Sequence, residues 1–259
     1  MATYLDRILT AHRARAGADD RALAPLVAEA RAQSAPRGFA AALRAAVGLA
    51  VVAEVKRRSP SKGDLAPDLD PATLGATYER GGATCLSVLT DTEFFGGSAD
   101  DLRAARAATK LPVLRKDFTV SPADVCDARI MGADAVLLIV AALDDDELAD
   151  LHTLALDIGL DVLVEIHDEA ELERAMSVGA HLIGVNQRDL VTFGVDHERA
   201  LRVGAAIPES AVRVAESGIR GPEDAVALAA AGFDAVLVGE LLVTSGDPGS
   251  AVAALRAAR

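Results

Sequence analysis

The chain has no tryptophan, and aromatic residues make up only 3% of its 259 positions. Ala, Val and Leu must therefore supply the core. Cysteine is nearly absent as well. Cys85 and Cys126 are too few for a disulfide framework and have no metal-type spacing, so both read as buried thiols of a reducing compartment. No apolar run reaches the roughly 18 residues of a bilayer span. The opening Met1-Ala2-Thr3-Tyr4-Leu5-Asp6-Arg7 lacks a basic segment followed by an apolar one, so no signal peptide is expected and the location reads as cytoplasmic. Positive charge is in deficit, with a net charge of −13. That disfavours nucleic acid and anionic membranes as partners. An anionic small molecule remains admissible if a local cluster of cations overrides the global sign.

What is present is a regular alternation. Eight short apolar runs occur at Val51–Lys56, Cys85–Thr90, Pro112–Phe118, Ala135–Val140, Asp161–Ile166, Leu182–Asn186, Ala211–Glu216 and Ala235–Glu240. Most are continuous rather than alternating, as in parallel strands buried on both faces. Helical spacing of Ala, Leu, Glu and Arg fills the gaps, as in Asp144–Leu156 and Glu169–Val178. Ser121-Pro122, Asp168-Glu169 and Gly221-Pro222-Glu223-Asp224 carry helix-start chemistry. Gly82, Gly132, Gly179 and Gly232 recur at intervals of about 50 residues, each just before an even-numbered run. Each reads as a left-handed helix terminator, and the interval fits two strand–helix units.

Eight such units in a chain near the ~250 residues typical of the architecture predict an α/β fold, a single (β/α)8 TIM barrel. Residues 49–259 form the barrel in this reading. Residues 1–48 form an N-terminal helical extension of the same domain, with apolar positions Leu5, Ile8, Leu9, Leu23, Leu26 and Val27. The sequence leaves open which end of the barrel the extension covers.

Barrel enzymes work at the C-terminal ends of their strands, and polar residues gather there. The first run leads through Glu54 and Lys56 to Arg57, Arg58, Ser59 and Pro60. The third ends in Arg115-Lys116-Asp117-Phe118, the fifth contains Glu165, and the sixth leads into Asn186-Gln187-Arg188-Asp189. The seventh ends in Glu216-Ser217-Gly218 and the eighth in Gly239-Glu240. Strand alternation puts Glu54 and Lys56 on one face. Lys and Glu are rarely set into apolar strand ends without a partner or a task. Small residues after strands seven and eight suit a phosphate, which backbone N–H groups and a short helix can cradle. The Glu240 carboxylate would have to turn away from such an anion. The five histidines form no metal-type pair, and no dinucleotide-binding glycine fingerprint follows a strand.

These segments resemble a known family. Glu54-Val55-Lys56-Arg57-Arg58-Ser59-Pro60-Ser61 looks like the first-strand signature of the indole-3-glycerol phosphate synthases. Ser87-Val88-Leu89-Thr90, Phe95-Gly96-Gly97-Ser98, Arg115-Lys116-Asp117-Phe118, Val164-Glu165-Ile166-His167, Gly184-Val185-Asn186-Gln187-Arg188-Asp189-Leu190 and Glu216-Ser217-Gly218-Ile219 match as well. The resemblance runs from about residue 40 onward. It implies a lyase of tryptophan biosynthesis that converts 1-(2-carboxyphenylamino)-1-deoxyribulose 5-phosphate to indole-3-glycerol phosphate, carbon dioxide and water.

By the same resemblance, Lys116 is the acid of ring closure, and Lys56, Glu165 and Glu54 serve later proton transfers and orientation. Ser217, Gly218, Gly239 and Glu240 would cradle the phosphate. Ser59, Asn186 and Arg188 would bind other polar groups of the substrate. Pro60, Phe95, Phe118 and Leu190 would pack on its aromatic ring. No cofactor and no metal are implied, and a monomer or weak homo-oligomer is expected.

Three alternatives stay open at this point. An aldolase-like barrel would use Lys56 or Lys116 as a Schiff base. A phosphoribosylanthranilate isomerase would carry a Cys base after strand one and an Asp after strand six, where this chain has Glu54/Lys56 and Asn186/Arg188. A sugar-phosphate-binding barrel without catalysis would need the phosphate loops but not ionisable residues at several strand ends.

Overall fold

The computed structural model describes residues 3–257 except 190 and 193. Eight parallel strands close on themselves. They are β1 (Ala50–Val55), β2 (Cys85–Leu89), β3 (Val113–Lys116), β4 (Ala135–Ile139), β5 (Asp161–Ile166), β6 (Leu182–Asn186), β7 (Val212–Glu216) and β8 (Ala235–Val238). Each pairs with its sequence neighbours, and β8 returns to β1 with Ala50 opposite Ala235. Val, Leu, Ile and Ala of these strands are almost wholly buried. This is the packed interior that continuous apolar runs require when helices cover a sheet closed on itself.

The four periodic glycines all have positive φ, between 77° and 99°. Ser121 and Asp168 cap their helices by accepting N–H bonds from Asp124 and Glu171, and Pro122 follows its cap directly. Five strands stop earlier than the sequence predicts, β2 and β4 by one residue each, at Leu89 and Ile139; the other three each have a local reason. β1 ends at Val55, and the chain beyond it folds into a small antiparallel hairpin, Arg58–Ser59 with Gly63–Asp64. β3 ends at Lys116 because the Asp117 carboxylate accepts from the Phe118 N–H and binds Thr90 and Arg115, which turns the chain aside. β8 ends at Val238 because the Gly239 carbonyl accepts from Leu242 and Val243, opening the short helix Glu240–Val243.

The N-terminal segment wraps both ends of the barrel. Helix α1 (Tyr4–Gly17) lies over the C-terminal mouth, where Tyr4, Leu5 and Ile8 line the central cavity. His12 on α1 reaches Asp91 at 2.9 Å, and Arg13 reaches Glu147 at 2.6 Å. Helix α2 (Leu23–Ala32) runs down the side against the helix Pro122–Ile130. Helix α3 (Phe39–Ala45) closes the opposite end. There the N–H groups of Arg37 and Ala40 bind Asp134 and Asp161, at the starting ends of β4 and β5, at 2.8 and 2.9 Å. An amphipathic stripe records that a helix needs an apolar surface, but not which one.

Candidate active site

A cavity of about 550 Å³ opens at the C-terminal rim. Its wall includes Glu54, Lys56, Ser59, Pro60, Phe95, Lys116, Phe118, Glu165, Asn186, Arg188, Ser217, Gly218, Gly239 and Glu240. Every site residue expected from the sequence is thus brought to one place, apart from Leu190, which lies outside the described residues.

At the centre stands Lys116, the last residue of β3. Its ammonium lies 3.2 Å from Glu165 Oε2 and 3.2 Å from Glu216 Oε2. Asn186 Nδ2 donates to the other Glu165 oxygen at 2.9 Å. Glu216 sits level with Asn186 on the adjoining strand. Beside this triad, Lys56 and Glu54 pair at 2.6 Å, confirming that the two share a face of β1. Ser87 and Tyr78 fix Glu54, the first through a side-chain oxygen at 3.4 Å and the second through the backbone carbonyl at 3.1 Å.

Two glycines make these pairs possible. A Cβ on Gly184 would lie 2.1 Å from Glu216 Oε1. One on Gly239 would lie 2.2 Å from Glu54 Oε1 and 2.9 Å from Lys56 Nζ. Both positions need the missing side chain as space for a carboxylate.

The electrostatics separate the groups. Burial opposes the Lys116 charge, but Glu216, Glu165 and Glu54 outweigh it and hold the lysine above its ordinary pKa. Burial pushes the Glu216 carboxyl up to about 7; Lys116 works against the shift, while the Glu165 and Glu54 charges add to it. Burial acts the same way on Glu165, yet Lys116, His167 and the Asn186 amide hold that carboxyl below the usual glutamate value. Two carboxylates at equal distance from one ammonium therefore differ in proton affinity. Such a split is how one site carries both an acid and a base.

Around the ionic centre the wall is apolar and anion-ready in turn. The Phe95 and Phe118 rings lie 6.3 Å apart and tilted, and Phe118 also packs on His12 at 5.5 Å. Ser217 and Gly218 both take positive φ, 65° and 71°, and Ser217 is the single non-glycine to do so among the described residues. Gln187 stabilises this turn by donating to the Ser217 carbonyl at 2.8 Å. Tight turns of this kind present successive N–H groups to one side, where an anion fits. The Glu240 carboxylate is paired with Lys62, and both residues line the cavity, so its charge is offset there. Glu240 itself opens a short helix instead of ending β8.

In the sequence alone, Glu216 stands at the end of strand seven with no task of its own. The signal was available, since it is a third carboxylate at a strand terminus, but its Ser217-Gly218 neighbours pointed to phosphate. Among the described residues, one group of His and acidic side chains lies close enough to share a cation: His12, Asp91 and Asp117. Arg15 and Arg115 already ion-pair with its carboxylates, so the group reads as a fastening for α1.

Fold and site together place the chain among (β/α)8 barrels that gather ionisable side chains in a cavity at the C-terminal rim. Solved structures agree on the fold. Thiamine phosphate pyrophosphorylase from Pyrococcus furiosus superposes with a TM-score of 0.62 at 18% identity over 81% of this chain and 94% of that one. A 3-hexulose-6-phosphate synthase does so with 0.62 at 18% over 82% and 99%.

The family is narrower. The family model described as indole-3-glycerol phosphate synthase matches residues 5–255. The protein of that name from Mycolicibacterium gilvum is 51% identical over 98% of this chain and 94% of its own length. That from Mycolicibacterium vanbaalenii is 52% identical over the same shares, and that from a Nocardioides species 56% over 80% of each. The chain belongs to the indole-3-glycerol phosphate synthase family, which makes it a carboxy-lyase.

Proposed function

We propose that this chain converts 1-(2-carboxyphenylamino)-1-deoxyribulose 5-phosphate to indole-3-glycerol phosphate, with Lys116 as the acid of ring closure. The observation that carries the assignment is the Lys116 ammonium, held between two buried carboxylates in a cavity walled by Phe95 and Phe118. The aromatic carbon bearing the carboxylate attacks the ketone carbon, and the ketone oxygen takes a proton from Lys116. The carboxylate leaves as carbon dioxide, and its bonding electrons return aromaticity to the ring. The new hydroxyl then departs as water with a proton from an acid, while a base removes a proton from the new five-membered ring. Lys56, Glu54 and Glu165 stand within the same cavity to serve these transfers, and Glu216 joins them as a group near its midpoint at neutral pH.

Ser217 and Gly218, with Gly239 and the Glu240 backbone opposite, suit the substrate phosphate. Ser59, Asn186 and Arg188 suit its hydroxyl and carboxylate groups, and Pro60, Phe95 and Phe118 its ring. Asn186 Oδ1 accepts from the Arg188 N–H at 3.0 Å, so the two act as one unit. The reading includes a single domain spanning extension and barrel, and a cytoplasmic monomer or weak homo-oligomer. No helix among the described residues is long and apolar enough to cross a membrane.

The chain's lack of tryptophan gives the test a clear signal. Purified protein mixed with the carboxyphenylamino deoxyribulose phosphate, without added metal or cofactor, should produce indole fluorescence over a background from tyrosine alone. Absence of indole product from folded protein would remove this reading. Covalent trapping of a carbonyl substrate by borohydride would replace it with Schiff-base chemistry.

A further inference from the structure

His167 lies directly after β5, two residues beyond Glu165, and its ring is not among those lining the cavity. It is 11% exposed. Its Nδ1 lies 3.0 Å from Glu171 Oε2, and the same oxygen accepts the His167 backbone N–H at 2.8 Å. An ionised carboxylate only accepts, so Nδ1 carries a proton. The other nitrogen, Nε2, is buried without a hydrogen-bond partner and faces Glu165 Oε1 at 3.7 Å. A neutral ring would aim a lone pair at that oxygen. A doubly protonated ring aims an N–H at it and is flanked by carboxylates on both sides.

We propose that His167, carried as an imidazolium on Glu171, is a positioning residue that keeps Glu165 ionised behind Lys116 and thereby divides base from acid between Glu165 and Glu216. The inference rests on the acid–base reading above and adds what separates two otherwise equivalent carboxylates. Glu216 faces the same ammonium at the same distance, and no imidazole among the described residues pairs with it. The charged groups that act on the ring are Glu165 on the preceding strand β5, Glu171 on the helix Glu169–Ser177 and Arg199 on the helix Arg199–Gly204. Burial lowers the affinity of the ring for its second proton. The Glu171 hydrogen bond and the two carboxylate charges more than offset this against the opposing Arg199, so the pKa rises. A positive charge this close favours the ionised form of Glu165.

The test is the pH profile of kcat, read by product fluorescence, for the wild-type protein and for His167→Asn, with thermal unfolding as a check on folding. The acid limb of kcat should move up by about one pH unit, the size of effect a neighbouring charge produces, with KM changed less than about two-fold. An unmoved limb in a folded variant overturns the inference. Should His167→Asn not fold, Glu171→Gln reads the same limb and should shift it in the same direction; an unmoved limb there overturns it equally. Nitrogen-15 NMR titration of the wild-type protein should find the His167 ring holding its second proton to higher pH than a free histidine does, and a ring that loses it at or below the ordinary histidine value contradicts the proposal.

Glu165→Gln separates this inference from the reading beneath it. If Glu165→Gln is inactive while the His167→Asn limb stays in place, only the role of His167 falls. If Glu165→Gln turns over normally, the role of Glu165 falls and His167 has no base to position.

Discussion

Glu216 and Gly184 fit together as a filled and an empty place: the Glu216 carboxylate occupies the position where a Gly184 side chain would begin, 2.1 Å from the ideal Cβ. Gly184 belongs to a buried strand, where glycine ordinarily weakens the structure. Its presence there makes sense as room for the carboxylate facing Lys116. Gly184→Ala should therefore fold but displace Glu216, lowering kcat by roughly ten-fold or more, since small misplacements of reacting groups cost this much. Gly239→Ala should act likewise on Glu54 and Lys56. Steady-state kinetics and circular dichroism check both; full activity in either variant would mean that the carboxylate position is not critical.

Glu216 also links activity to stability. Its carboxyl is raised from the ordinary 4.5 to about 7, so between these values the folded chain holds a proton that the unfolded chain releases. Stability is then fully present below the unfolded value and falls as pH rises toward 7. Glu216→Gln removes the titration. The variant should gain in Tm relative to wild type at pH 8, change little at pH 5, and lose turnover. Equal Tm differences at the two pH values would contradict the raised carboxyl.

His152 should produce the opposite slope. It is buried, its Nε2 has no hydrogen-bond partner, and burial followed by His181 lowers its pKa. The folded chain thus keeps it neutral where the unfolded chain takes up a proton. Its contribution is present above about 6.5, the ordinary histidine value, and is lost as pH falls below that. In His152→Leu, the drop in Tm between pH 7.5 and pH 5 should be smaller than in wild type; an unchanged drop would assign acid lability elsewhere.

Much of this arrangement was legible in the sequence because strands alternate. Glu54 and Lys56, two apart, had to share a face, and the glycines before even-numbered strands had to terminate helices. Asn186 and Glu165 came from strand ends for the same reason. What stayed hidden depends on distance in space. Nothing in Gly184 itself shows that a side chain from the neighbouring strand needs its volume, and Glu216 was masked by the phosphate-like residues that follow it. The course of the N-terminal helices was hidden for a similar cause. Leu5 and Ile8 mark an apolar face, but only the assembled rim shows that this face roofs a cavity.

That roof yields its own expectation. Ile8 is 3% exposed, and with Tyr4 and Leu5 it lines the cavity without carrying a proton-transfer group. Ile8→Ala should raise KM several-fold and leave kcat nearly unchanged, the pattern for loss of binding felt equally before and during reaction. A fall in kcat with KM constant would instead give α1 a part in the chemical step.

The most direct test of the central claim is single-turnover kinetics of Lys116→Met with the carboxyphenylamino deoxyribulose phosphate. Removing the ammonium should slow indole formation by about 100-fold or more, the usual worth of a positioned acid, while substrate affinity measured by calorimetry changes far less. Ring closure at the wild-type rate in this variant would contradict the account.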